Sequence, residues 1–190
     1  ISRKASTLLG VNMPAATTCV KPSGTVSQLV DSASGVHPRW SDYYIRRYRI
    51  AARDPLFKML KDQGVPCKPE NGQTKRKAST WVMSFPVKAP DGCVKRTDVT
   101  ALDQLKHYKS LQHNWCEHNA SMTVYVRDEE WFEVGNWVYQ NWDIINGVSF
   151  LPYDSGLYKQ APYEEIDQRT YESFIKKVPI IDYSQLSKYE

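Results

Sequence analysis

The sequence predicts an α/β chain in which short strands alternate with helices and run parallel to one another. Three observations carry this expectation. Trp81, Met83, Phe85 and Val87 recur at every second residue, the period of a strand. Trp131, Val134, Val138, Trp142 and Ile145 recur at helical spacing and place one apolar stripe on a helix. Gly35, Pro38, Gly64 and Gly147 punctuate the chain between such segments. Each strand is short and needs a covering helix, which is the layout of a parallel α/β sheet.

The elements follow in order. Thr17 to Val20 reads as a short strand, and Ser23 to Asp31 as a helix with Ser23 as its N-cap. Ser32 to Pro38 is a loop. Tyr43 to Ala51 is strand-like, with Tyr43 and Tyr44 as core residues and Arg46, Arg47 and Arg49 solvated or ion-paired. Asp54-Pro55 caps and starts a helix to about Gln63, which Gly64 stops. Val65 to Lys77 reads as an exposed excursion, Trp81 to Val87 as a strand, and Pro90-Asp91-Gly92 as a turn. Asp98 or Thr100 caps a helix carrying Leu102, Leu105, Tyr108 and Leu111. Ala120 to Val126 is a strand. Asp128 opens the aromatic helix, whose Trp131, Val134, Val138 and Trp142 are expected to pack on a sheet. Val148 to Leu151 returns as a strand. Glu164 and Glu165 read as the first turn of a helix, where acidic residues complement the dipole. A last helix near Asp167 or Thr170 ends before Pro179.

With 190 residues the chain can bury a real core, and it is expected to form a single region spanning 1–190. It contains no apolar run long enough for a membrane span. The net charge of +4 is mild and scattered, which argues against polynucleotide binding and suits a small polyanionic substrate. Cys19, Cys67, Cys93 and Cys116 form no C-x-x-C pair and read as reduced cytoplasmic thiols. His113, Cys116 and His118 have a spacing that fits a metal, but no fourth ligand stands nearby. Polar residues at a helix-to-strand turn are the favoured reading, and no metal site is expected. The start at Ile1-Ser2-Arg3-Lys4, without an initiator Met, is consistent with a fragment or a split chain.

The most informative stretch is Lys21-Pro22-Ser23-Gly24-Thr25-Val26-Ser27. A strand–turn–helix junction of this kind gathers the unpaired amides of a first helical turn at the positive end of its dipole, which suits an anion. Gly24 lets a ligand approach the backbone. Taken without context, an ordinary capped helix accounts for the same residues. The spacing is neither a Walker A loop nor G-x-G-x-x-G.

The motif continues through Ser34-Gly35-Val36-His37-Pro38 to Tyr43-Tyr44-Ile45-Arg46-Arg47. Downstream come Asp54-Pro55-Leu56, Gly64-Val65-Pro66, Ser84-Phe85-Pro86-Val87-Lys88-Ala89-Pro90, His118-Asn119-Ala120-Ser121-Met122-Thr123, Asn136-Trp137-Val138, Gly147-Val148-Ser149-Phe150-Leu151-Pro152 and Gln160-Ala161-Pro162-Tyr163. In this order the blocks resemble the class II, adenosylcobalamin-dependent ribonucleotide reductases, in particular their ribonucleoside-triphosphate branch, over nearly the whole chain. The resemblance implies the C-terminal half of a ten-stranded α/β barrel. It implies adenosylcobalamin as cofactor, a ribonucleoside triphosphate as substrate, the N-terminal half of the reductase as a partner in cis or trans, and a thioredoxin-type reductant. It also implies that Ser23, Gly24, Thr25, Val26 and Ser27 bind the substrate phosphates and that Gly35, Val36, His37 and Pro38 approach the active-site rim. His37 either touches substrate or cofactor or is a loop histidine held by its neighbours.

The family's radical cysteine lies in an N-x-C-x-E motif upstream of the phosphate turn, and that motif is not found here. Asn114-Trp115-Cys116-Glu117 lacks the residue between Cys and Glu and lies far downstream. The family's C-terminal cysteine pair is not found either. No catalytic residue is therefore expected in this chain, which would supply the phosphate site and scaffold. The alternative is a non-catalytic subunit that binds a phosphate ligand or completes a partner's barrel.

Overall fold

The computed structural model describes residues 1–24, 26–153 and 159–190. The chain forms two compact units, Ile1–Arg39 with Val94–Asp154 and Trp40–Cys93 with Ser155–Glu190.

In the first unit, α1 (Ser2–Leu9) and a single short turn of helix, α2 (Val26–Leu29), precede α4 (Ala101–Asn114), β4 (Met122–Val126), α5 (Trp131–Gln140) and β5 (Val148–Pro152). Strands β4 and β5 pair in parallel, Met122 opposite Val148 through Val126 opposite Pro152, with α5 as the crossover. Thr100 starts α4 by a reciprocal cap: its hydroxyl accepts the Asp103 amide at 3.1 Å, and the Asp103 carboxylate accepts the Thr100 amide at 3.1 Å. Met122, Val124 and Val126 face Ala101, Leu105, Tyr108 and Val134, which makes one apolar core between sheet and helices. On the edge of β4, the Gln104 amide pairs with both backbone groups of Tyr125, at 3.3 and 3.4 Å.

In the second unit, β1 (Tyr43–Ala51), α3 (Pro55–Asp62), β2 (Cys67–Pro69), β3 (Thr80–Lys88), β6 (Tyr163–Glu165) and α6 (Gln168–Ile175) build a four-stranded sheet in the order β2-β3-β1-β6. Every pairing in it is antiparallel. Asp54 caps α3 by accepting the Leu56 amide at 2.9 Å, with Pro55 in the first turn where its missing N–H is not needed. Phe57, Met59, Leu60, Trp81 and Met83 form the second core.

Several expectations need correction. Parallel pairing holds for β4 and β5 alone among the described strands, because β1 and β3 return as a long antiparallel pair. Thr17 to Val20 forms no named strand, although it runs beside the approach to β4: the Thr18 and Val20 carbonyls accept the His118 and Ser121 amides at 3.0 and 2.9 Å. The helix expected from Ser23 to Asp31 is only α2, since Asp31 takes a left-handed backbone with φ 46°. Val65 is buried and Cys67–Pro69 is a strand, so the 65–77 stretch is not wholly an excursion. Glu164 and Glu165 lie in β6 and not in a helix; Glu164 pairs with Arg47 there. Tyr44 is buried, as expected, whereas Tyr43 is only half-buried and meets Tyr171 with the rings tilted by 44°. Of the aromatic helix, only Val134 is buried; Val138 is partly so, while Trp131 and Trp142 are 40% and 74% exposed.

Candidate functional site

Segment 17–23 is laced to the residues entering β4. The Glu117 carboxylate accepts the Thr17 amide at 2.7 Å and its hydroxyl at 2.5 Å. Those bonds, the hydroxyl's first, hold the Glu117 carboxyl below the usual carboxylate range. Glu117 is thus tied up in structure, and the Cys116-Glu117 pair is no acid–thiol site. Lys21 extends its ammonium to Asn119 Oδ1 at 3.0 Å and Ser121 Oγ at 2.9 Å, which fixes its charge beside β4.

The turn itself is closed by Ser23. Its carbonyl accepts the Val26 amide and its hydroxyl the Ser27 amide, both at a long 3.3 Å. Gly24 sits at the exposed tip with φ +62°, and a Cβ built there would meet nothing within 4 Å. Among the described residues its amide has no partner. Ser27 is 6% exposed, and its buried hydroxyl has no hydrogen-bond partner among the described residues. Thr25, also expected in the site, lies outside the described residues.

The residues expected at the rim are tied to the same framework. Gly35 has φ +59°, and a Cβ on it would come within 2.9 Å of the Lys21 carbonyl, so the loop passes close under the turn's entry. Val36 is buried in the first core. The His37 ring lies 2.6 Å from the Ser34 carbonyl through Nδ1, and its Nε2 accepts the Thr123 amide at 2.9 Å. Gly35, Val36, His37 and Pro38 all line one half-open cavity of about 380 Å³, which Gln104 and Met122 also line. None of Ser23, Gly24, Val26 or Ser27 lines it.

Ser34 is the residue that sequence reasoning missed. Its hydroxyl accepts the Ser23 amide at 2.9 Å and so joins loop to turn. A serine in a Ser-x-Ser-Gly loop carries no periodic or spacing signal. Among the described residues no three His, Cys, Asp or Glu side chains group as metal ligands, and no helix is long and apolar enough to cross a membrane.

No protein-family model matches the chain. A solved structure does: a B12-dependent, class II ribonucleotide reductase superimposes with a TM-score of 0.79 and 30% identity, over 98% of this chain and 26% of that one. In sequence and fold the chain is similar to one segment of the class II ribonucleotide reductases. Within that class its relatives carry the name adenosylcobalamin-dependent ribonucleoside-triphosphate reductase. Those of Lactobacillus acidophilus and Euglena gracilis are each 35% identical, over 86% and 85% of this chain and 22% of their own length. A probable one from Dictyostelium discoideum is 32% identical over 98% of this chain and 25% of its own. The chain therefore spans about a quarter or less of the relatives it matches.

Proposed function

We propose that this chain works as part of an adenosylcobalamin-dependent ribonucleoside-triphosphate reductase, as the C-terminal portion of its α/β barrel. The observation that carries this reading is homology in sequence and fold over nearly the whole chain. Within that enzyme, residues Ser23 to Ser27 hold the substrate phosphates. In support, the Gly24 amide is open at an exposed tip, the space beside it is empty, and the Val26 and Ser27 amides are held only by long bonds that a phosphate can replace.

Adenosylcobalamin is the cofactor of the complete reductase. The cavity lined by Gly35 to Pro38 is near the lower bound for a drug-sized ligand and is too small for a corrinoid. When bound to the complete reductase, the cofactor supplies the radical that a thiyl mechanism needs. The radical cysteine and its reducing partners come from outside the motifs present here, so this chain alone turns over no ribonucleotide.

The test is nucleotide binding and turnover with this chain joined to the remaining reductase segments. Gly24→Val should weaken ribonucleoside-triphosphate binding tenfold or more, through the lost backbone approach, while cobalamin binding holds. An unchanged dissociation constant in the folded protein would remove the phosphate assignment. Turnover by the pure 190-residue chain would remove the reading of it as a scaffold portion.

A further inference from the structure

We propose that His37 is a positioning residue for the Ser23–Ser27 turn, held as the neutral imidazole with its proton on Nδ1. The inference rests on the reading of that turn as the phosphate site. The tautomer follows from the partners. A backbone amide can only donate, so Nε2, 2.9 Å from the Thr123 nitrogen, offers its lone pair. A carbonyl can only accept, so Nδ1, 2.6 Å from the Ser34 oxygen, carries the proton. Both ring nitrogens are thereby occupied by backbone, and His37 has no spare acid or base to offer a ligand.

Its partners lead straight to the turn. Ser34 is gripped at its carbonyl by the His37 ring and again by the His37 amide at 3.2 Å. The Ser34 hydroxyl takes the Ser23 amide at 2.9 Å, and the Ser23 hydroxyl takes the Ser27 amide at 3.3 Å. The result is one continuous run of hydrogen bonds from β4, through His37, Ser34 and Ser23, to the first turn of α2. Its origin is firm: Val124 and Val126 in β4 are fully buried, and the strand is paired with β5. The ring's two bonds are 2.6 and 2.9 Å and the last bond into α2 is 3.3 Å, so the weakest link is at the turn and its geometry depends on where Ser34 is held. A turn of one short helix has little stability of its own. An anion site gains from donors fixed in advance, since fixing them at binding costs affinity.

The test has three arms on the chain. Long-range proton–nitrogen NMR of the imidazole should show Nδ1 protonated and Nε2 bare; the opposite tautomer in the folded chain would overturn the proposal even if no variant folds. Amide exchange without ligand forms the second arm. His37→Leu should speed exchange at Ser23 and Ser27 about tenfold or more. His37→Gln, which keeps an acceptor for the Thr123 amide, should recover part of the protection. The third arm compares ATP with adenosine as probes. His37→Leu should raise the ATP dissociation constant about tenfold and His37→Gln less, with adenosine unaffected by either. If exchange responds while neither His37→Leu nor Gly24→Val alters ATP binding, the phosphate reading fails and the positioning role stands. If Gly24→Val weakens ATP while His37→Leu changes neither exchange nor affinity, the positioning role fails and the phosphate reading stands.

Discussion

Replacing Gly147 by alanine should disrupt the first unit, whereas the same change at Gly135 should stabilise it. A Cβ on Gly147 would lie 2.6 Å from the Ala120 carbonyl oxygen, 2.7 Å from Asn119 Nδ2 and 3.1 Å from Ser121 Oγ. Ala120 is fully buried, and its carbonyl cannot retreat. Asn119 and Ser121 are both held by the Lys21 ammonium. The strands must therefore part where they enter the sheet, which weakens the 2.9 Å bond from the Met122 amide to the Gly147 carbonyl. Overpacking costs about 1–3 kcal/mol and the lost bond about 1 kcal/mol, together roughly 2–4 kcal/mol. For a unit of this size that lowers Tm by on the order of 10–20 °C. Gly135 lies inside α5 with nothing within 4 Å of a built Cβ, so Gly135→Ala relieves only backbone entropy and should gain about 0.5–1 kcal/mol. Urea unfolding followed by amide exchange at Met122 reads both effects. A Gly147→Ala chain within about 0.5 kcal/mol of the parent, with Met122 still protected, would refute the steric argument.

Leu105→Ala should cost about 2–5 kcal/mol, because the side chain is fully buried between α4 and β4. Trp142→Ala should cost less than about 0.5 kcal/mol, because the ring is 74% exposed; a large loss in urea unfolding would put the indole inside a core after all. The carboxyls of Asp103, Glu117, Asp167 and Asp182 are all held below their usual range, chiefly by the hydroxyls of Thr100, Thr17, Thr170 and Ser184. A depressed folded-state value stabilises the fold at pH above the ordinary carboxylate range, and this is lost as pH falls through the lowered values. Stability should accordingly be flat near neutrality and decline on acidification below that range. Thr17→Val should move the Glu117 titration, followed by carboxyl NMR, back upward, since the hydroxyl is the larger cause.

Local chemistry accounts for what the sequence determined by itself. Asp54-Pro55 announces α3, and Asp98 or Thr100 announces α4, because a cap is satisfied within three or four residues and needs nothing distant; the structure assigns the second cap to Thr100. The alternation from Trp81 onward and the β-branched and aromatic run from Tyr43 mark β3 and β1. The ordered motifs, each short and contiguous, disclose the reductase relationship. Tertiary structure alone decided which strands pair and in which direction. A strand's period says which residues share a face, and nothing in it says whether the neighbour runs parallel or antiparallel; β1 and β3 became antiparallel partners through a register set by the whole second unit. The helical stripe from Trp131 to Trp142 was legible as a period, yet the chain turns out of the α-helix after Gln140 and leaves Trp142 exposed. The site divides in the same way. The turn at Ser23–Gly24 is written in contiguous residues, but the anchor that holds it joins His37 to Thr123, 86 residues along the chain. That contact exists only because folding brings β4 beside the loop, where one imidazole meets a donor on one side and an acceptor on the other.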